Sequence, residues 1–304
     1  VSQTAMVSGI GREGRGIDVD PLGLVALPAL MARTSGLHSP RIGLIDGHVT
    51  SDHPDLADAN LEVLVRHRGS APPSFDPGSR HATSVAGVLV ARRGSGAPAI
   101  CPDATLVVRP IFPSRPPPYG DTALPGDLAS AIMEVADAGV RVLNLSLTLT
   151  PHSDDADNAL QRALDYAAHR GVIVVAAAGN HGAVGGSALT RHRSVIPVVA
   201  YDLEGHPSGA SNLGLTFGRS GVGATGTGIN SLKAGGGLRP FGGTSAATAL
   251  VTGAIALLWS EFPQATPADL VSAVTRSSAR RTSVVPPLLD AWRAYETVRA
   301  AHYG

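Results

Sequence analysis

The sequence predicts an α/β fold: a three-layer, doubly wound, mostly parallel sheet with helices on both faces. Three observations predict it. Short apolar runs alternate with longer stretches of helical period along most of the chain. Those runs are nearly continuous in apolar residues, as strands covered on both faces require. Glycines stand where a helical stretch should stop before the next strand, as at Gly139 and Gly171.

Taken in order, residues 1–20 are Gly-rich and weakly patterned and read as an irregular arm. Residues 22–35 read as a short helix stopped by Gly36, and 41–45 as an apolar strand ending at Asp46. The Arg-, Pro-, Ser- and Gly-rich stretch 66–80 reads as a surface loop, and 83–91 as a helix starting just after His81. Residues 105–111 are β-branched and apolar, a buried strand; 113–126 are a Pro-rich loop. A helix over 128–138 leads to a strand over 140–147, and a helix over 154–169 to a strand over 172–177. Residues 195–242 are Gly-rich with short strands. An apolar helix runs from Ser245 to near Trp259, and a last helix falls within 287–303. Sheets of this kind hold ligands at the C-terminal ends of their strands, which is where Asp46 and Asn180 fall.

Composition narrows the classes of function. At 304 residues and 43% hydrophobic content the chain can bury a sizeable core. Basic and acidic residues number 24 each, so no general attraction to nucleic acid or to an anionic membrane follows. Arg supplies nearly all the positive charge, since Lys233 is the single lysine. Cys101 is the single cysteine, so no disulfide can form within the chain, and burial is expected for it. No apolar run approaches the roughly 18 residues of a membrane span. The apolar stretch 22–32 follows Asp18 and Asp20 and is interrupted by Pro28, unlike a signal peptide. A cytoplasmic location is therefore expected, with secretion left open because the chain starts at Val1.

Four segments carry candidate chemistry. Asp46 ends Ile42-Gly43-Leu44-Ile45-Asp46-Gly47, and His81 opens His81-Ala82-Thr83-Ser84-Val85-Ala86-Gly87. Asn180 ends Ala176-Ala177-Ala178-Gly179-Asn180, and Ser245 lies in Phe241-Gly242-Gly243-Thr244-Ser245-Ala246. A serine hydroxyl is a weak nucleophile at neutral pH and needs a base such as His81 within hydrogen-bond reach. A carboxylate on the other ring nitrogen would set the tautomer and stabilise the imidazolium, which suits Asp46. Asn180 and the Ser245 backbone N–H are the candidate donors to an oxyanion. Taken singly, each residue has a bland alternative: a strand-end turn, a helix cap, a turn after glycine, an N-cap.

The order Asp, His, Asn, Ser resembles that of the subtilisin-like serine proteases, over about residues 40–263. The resemblance implies a subtilisin-like peptidase domain over 40–304, preceded by an arm and short helix over 1–39. It implies an Asp46-His81-Ser245 triad, Asn180 as oxyanion donor, and a peptide bound as an added strand. Leu145, Ser146, Leu147 and Thr148 would form one edge of the groove, and Ala177, Ala178 and Gly179 the wall of the pocket before the scissile bond. The family usually has Gly where Thr148 stands. Free imidazole titrates near 6.5, so a rate that needs neutral imidazole should fall below about that pH.

Several positions depart from secreted digestive members. Ala82 and Ser84 replace the usual Gly and His around Thr83, Ala246 a larger residue, Ala249 a Pro and Leu250 a His. The segment Ala91-Arg92-Arg93-Gly94-Ser95-Gly96 lacks the oxygen ligands of the family's calcium loop, so no metal and no cofactor is expected. A narrower resemblance is to cyanobactin-type leader proteases. It rests on Leu44-Ile45-Asp46-Gly47-His48-Val49, Asp52-His53-Pro54, Cys101-Pro102-Asp103 leading to Arg109-Pro110-Ile111-Phe112, residues 172–182 and Gly235-Gly236-Gly237. It implies a precursor peptide as partner. Macrocyclising members carry a helical insertion that 66–80 is too short to supply, so hydrolysis is the expected outcome. The alternatives are a weak, peptide-binding pseudoprotease and a transpeptidase or macrocyclase.

Other patterns have weaker functional readings. Gly9-x-Gly11-x-x-Gly14 and Gly221-x-Gly223-x-x-Gly226 match a dinucleotide fingerprint but lack the strand–turn–helix context. His48 and His53 flank a turn, and packing or hydrogen bonding is expected of them over metal ligation. Arg191-His192-Arg193 reads as a solvated loop.

Overall fold

The computed structural model describes residues 2–3, 19–37, 41–64, 77–112, 123–149, 154–275 and 283–303. In chain order the elements are β1 (Ser2–Gln3), α1 (Leu27–Met31), β2 (Arg41–Asp46), β3 (Asn60–Val63), α2 (Pro77–Val90), β4 (Thr105–Pro110), α3 (Pro125–Asp137) and β5 (Val140–Leu145). Then come β6 (Leu147–Thr148), α4 (Asp154–His169), β7 (Ile173–Ala177), β8 (Val195–Tyr201), α5 (Leu215–Ser220) and β9 (Val222–Thr225). The hairpin β10 (Ile229–Leu232) and β11 (Leu238–Phe241) leads into α6 (Gly243–Glu261), followed by α7 (Pro267–Thr275) and α8 (Ala291–Tyr303).

Seven strands form one parallel sheet in the order β3-β4-β2-β5-β7-β8-β9. From β2 the chain crosses to the edge strand β3, returns through β4, passes β2 to reach β5 and then runs outward to β9, so the order reverses beside β2, where such sheets bind ligands at the C-terminal ends of their strands. Helices α1, α2, α6, α7 and α8 share one core with one face of the sheet; α3 and α4 share the other. The expected three-layer α/β architecture is what the chain adopts.

Helix α6 is the axis of the first core. Every residue from Thr244 to Trp259 is buried, and it packs on β5, β7, β8 and β9. Its alanines and Gly253 allow that depth: a Cβ on Gly253 would lie 2.8 Å from Ile100. Truncating a mid-helix leucine such as Leu257 to Ala should cost about 2–5 kcal/mol. By length and composition α6 is the one helix among the described residues able to cross a membrane, but 89% of that window is buried inside the protein.

Several expected elements shift. Helix α2 starts at Pro77 and contains His81, because Pro77 supplies the fixed φ of a first turn. Residues 65–76, most of the expected 66–80 loop, lie outside the described residues. The single helix expected over 22–35 is a 3-10 turn over Gly23–Val25 and then α1, separated by Ala26 at φ 52°. Pro125 likewise begins α3 earlier than expected, while 113–122 lie outside the described residues. The expected strand over 140–147 is two strands, broken at Ser146, and β6 belongs to a separate two-stranded sheet. The expected irregular arm contributes a strand: Ser2 and Gln3 pair antiparallel with Thr148 and Leu147.

The second glycine pattern serves packing. A Cβ on Gly223 would lie 2.1 Å from the Tyr201 ring, and one on Gly226 would lie 2.5 Å from Ala200. The pattern at Gly9 to Gly14 lies outside the described residues.

Candidate active site

Asp46 is the last residue of β2 and fully buried. Its Oδ1 accepts the Gly47 N–H at 2.7 Å and its Oδ2 lies 2.7 Å from His81 Nδ1. A carboxylate can only accept, so Nδ1 carries the proton and Nε2 keeps its lone pair. That lone pair faces Ser245 Oγ at 3.0 Å. Three groups from three distant segments thus form one chain of hydrogen bonds. His81 and Ser245 are each 2% exposed, so the hydroxyl is far less open than its Gly-rich surroundings suggest. The edge of the Phe241 ring meets the His81 ring at 5.7 Å between centroids and closes one side of it.

Ser245 is the third residue of α6, whose N-cap is Gly242 with no side chain to cap the helix. Helix geometry leaves the first four N–H groups without intrahelical partners. The Gly226 carbonyl takes the Gly243 N–H at 2.8 Å, and Asn180 Oδ1 takes the Thr244 N–H at 2.9 Å. The Ser245 N–H is the next in that series. Because Oδ1 is bound to a donor, the orientation of the Asn180 amide is settled, and Nδ2 is its donating side. Gly243 stands at φ 72°, and a Cβ there would lie 2.8 Å from Asn180 Nδ2. Thr244 Oγ1 is buried beside this turn without a hydrogen-bond partner.

Beneath the serine lies a buried polar network that sequence reasoning did not identify. Asn144 on β5 donates to Thr252 Oγ1 on α6 at 3.0 Å, and Ser146 Oγ donates to Asn144 Oδ1 at 2.9 Å. Ser146 Oγ also lies 3.5 Å from the Ser245 carbonyl. These bonds tie the strand carrying the expected groove edge to the helix carrying Ser245, in a setting where an unmade bond would cost about 1–3 kcal/mol.

The expected groove residues divide by what they offer. Leu145 and Leu147 are core side chains and Ser146 belongs to the network, so only their backbones can meet a ligand. The Thr148 side chain lies outside the described residues. Ala177 ends β7. Ala178 has its N–H bonded to the Val198 carbonyl and its carbonyl bonded to Asn212, and it is buried in a small core cluster with Val199, Tyr201 and Phe217. Gly179 turns the chain at φ 102° into Asn180.

The remaining candidates resolve as structure. His53 is 2% exposed: Nδ1 accepts the Asp55 N–H at 3.1 Å, and Nε2 donates to the Gly237 carbonyl at 3.2 Å. It fastens the β10–β11 hairpin. Cys101 is buried, its thiol donates to the Gly253 carbonyl, and burial pushes its pKa far up. In the 191–193 segment both arginines are exposed, as expected of a solvated loop, while the His192 side chain is only 7% exposed and lies 3.5 Å from Asp165, a carboxylate that Arg193 also reaches at 3.3 Å. Among the described residues no group of three or more His, Cys, Asp or Glu side chains gathers into a metal site.

A parallel sheet whose strand order reverses beside β2, with a carboxylate, an imidazole and a hydroxyl in line at its C-terminal edge, defines a class of serine hydrolase architecture. Residues 38–292 match the model of the subtilase family, peptidase S8, and the chain belongs to that family. It is 29% identical over 249 residues to a thermostable alkaline protease of Halalkalibacterium halodurans, a match covering 81% of this chain and 64% of the relative. It is 30% identical over 255 residues to subtilisin E of Bacillus subtilis, covering 81% and 62%. The chain thus spans under two thirds of the length of these curated relatives. Among solved structures it resembles the patellamide maturation protease PatA, with 29% identity, a TM-score of 0.73, and 87% and 98% of the two chains covered. It also resembles the prenylagaramide maturation protease PagA, with 25% identity, a TM-score of 0.78, and 90% and 98% covered. The PatG macrocyclase bound to a peptide, at 18% identity and a TM-score of 0.78, shares the fold.

Proposed function

We propose that the protein is a serine endopeptidase that cleaves a ribosomally made precursor peptide, removing its leader. The observation that carries this reading is His81, held at 2.7 Å to Asp46 and at 3.0 Å to Ser245. Ser245 Oγ attacks the scissile carbonyl carbon while its proton passes to His81 Nε2. Asp46 stabilises the imidazolium so formed. Negative charge gathers on the former carbonyl oxygen, where Asn180 Nδ2 and the Ser245 N–H donate. As the intermediate collapses, the C–N bond breaks and His81 returns the proton to the leaving amine. Water then attacks the acyl-enzyme by the same relay, releasing the acid and regenerating Ser245.

Two observations support a peptide substrate. The β6 edge accepts an extended strand, since Ser2 and Gln3 pair with it through the backbone. The residues leading into Asn180, Ala177, Ala178 and Gly179, are all small, so no bulky side chain stands in the chain just before it. The likeness to PatA and PagA, both named as maturation proteases, supports a precursor over bulk protein as the substrate.

A fluorophosphonate probe should label the wild type and leave Ser245→Ala unlabelled. Incubation with a synthetic precursor peptide should give one cut site by mass spectrometry, while casein survives. Labelling of both forms would end the assignment to Ser245, and casein turned over as fast as any defined peptide would end the maturation role.

A further inference from the structure

We infer that Asn212 is the positioning residue that sets the oxyanion donor Asn180 in place. Asn212 lies in the loop between β8 and α5, far in sequence from every residue assigned above. Its side-chain amide makes three hydrogen bonds to the turn that carries Asn180. Nδ2 donates to the Ala178 carbonyl at 3.0 Å. Oδ1 accepts two N–H groups, from His181 at 3.1 Å and Ala183 at 3.0 Å. The Asn212 backbone N–H donates to the Gly179 carbonyl at 2.9 Å. Residues on both sides of Asn180 are therefore clamped by one side chain, while the Asn180 side chain points to α6 and binds the Thr244 N–H.

The fit is specific to this amide. One side chain must give a proton to a carbonyl and accept two from N–H groups, and Asn does both at this length. Aspartate would lose the donor and place a carboxylate against the Ala178 carbonyl. Glutamine would be one methylene too long for the turn. The close approach also explains the glycine before Asn180: a Cβ on Gly179 would lie 2.5 Å from Asn212 Nδ2. Neighbouring backbone bonds, Gly182 N–H to the Ala210 carbonyl and Leu213 N–H to the Ala183 carbonyl, extend the same seam.

Asn212 acts on catalysis through Asn180. An oxyanion donor works only when it is aimed at the developing charge beforehand, and a displacement of about 1 Å at such a group costs about 10²-fold. The inference rests on the proposed role of Asn180, so the test separates the two. Turnover of the precursor peptide is measured for the wild type, Asn212→Asp, Asn180→Ala and the double variant, with thermal melting of each. Asn212→Asp should lower kcat about 10- to 100-fold with KM changed less than about threefold. In the Asn180→Ala background the same change should cost less than about threefold, because the donor it positions is gone. Asn212→Ser, able to keep only part of the set, should fall between and serves if Asn212→Asp fails to fold. Multiplicative losses in the double variant would overturn the positioning role while leaving Asn180 as donor. An Asn180→Ala enzyme with unchanged kcat would overturn the oxyanion reading and this inference together.

Discussion

Gly47 rests against the backbone of Gly78: a Cβ on Gly47 would lie 2.3 Å from the Gly78 carbonyl carbon and 2.4 Å from its oxygen. Gly47 follows Asp46 at the end of β2, and Gly78 lies in the first turn of α2, one turn before His81. This contact sets how closely the helix bearing the imidazole approaches the strand bearing the carboxylate. Gly47→Ala has no flexible side chain to push aside and must move backbone. It should destabilise the fold by about 1–3 kcal/mol and lengthen the Asp46–His81 bond. A kcat at least tenfold lower, with a lower Tm, is the expected result; unchanged kcat would show that the approach has slack.

The strand Ser2–Gln3 occupies backbone positions on β6 that the proposed substrate would use. An intramolecular strand competes at an effective concentration set by its tether. Deleting residues 1–3 should lower KM for the precursor peptide and leave kcat unchanged. Steady-state kinetics on the two forms checks this, and an unchanged KM would place the substrate elsewhere.

His192 should make stability depend on pH. Its pKa is lowered chiefly by burial, and further by the Arg193 charge, against the pull of Asp165. Its Nδ1 accepts the Ser194 N–H at 3.2 Å and has no room for a proton. The unfolded chain then binds more protons than the folded one once pH falls below the ordinary imidazole value of about 6.5. Stability is lost as pH drops from there through the lowered pKa, and above it His192 has no effect. Melting curves at about pH 5 and 7.5 should show a smaller acid penalty for His192→Asn than for the wild type.

Cys101 should be chemically silent in the native state. The thiolate is the reactive form, and burial holds the thiol protonated. Iodoacetamide should alkylate it only after denaturation. Rapid labelling of native protein would mean that the contact with the Gly253 carbonyl opens readily.

The main elements and the four central side chains were readable from the chain because each is marked locally. Asp46 ends an apolar run, Asn180 follows a glycine, and Ser245 follows two glycines at the head of an apolar helix. What escaped depends on contacts far apart in sequence. Asn212 meets residues 31 and 34 positions away, and Asn144 meets Thr252 across 108, so no short pattern announces either. The break at Ser146 was hidden because Leu145 and Leu147 are both apolar, while the buried bonds of Ser146 separate the strands. Strand β3, largely exposed at the sheet edge, and the short α5 and α7 lack strong periodicity and went unpredicted.

The hydroxyl proposed to react is carried by α6, buried from Thr244 to Trp259, whereas the edge proposed for the ligand is a two-residue strand outside the main sheet. Loosening the former means melting the whole domain; altering the latter touches few core contacts. On the proposed function, preference for one peptide over another is therefore free to drift in evolution while the Asp46, His81 and Ser245 arrangement stays rigid.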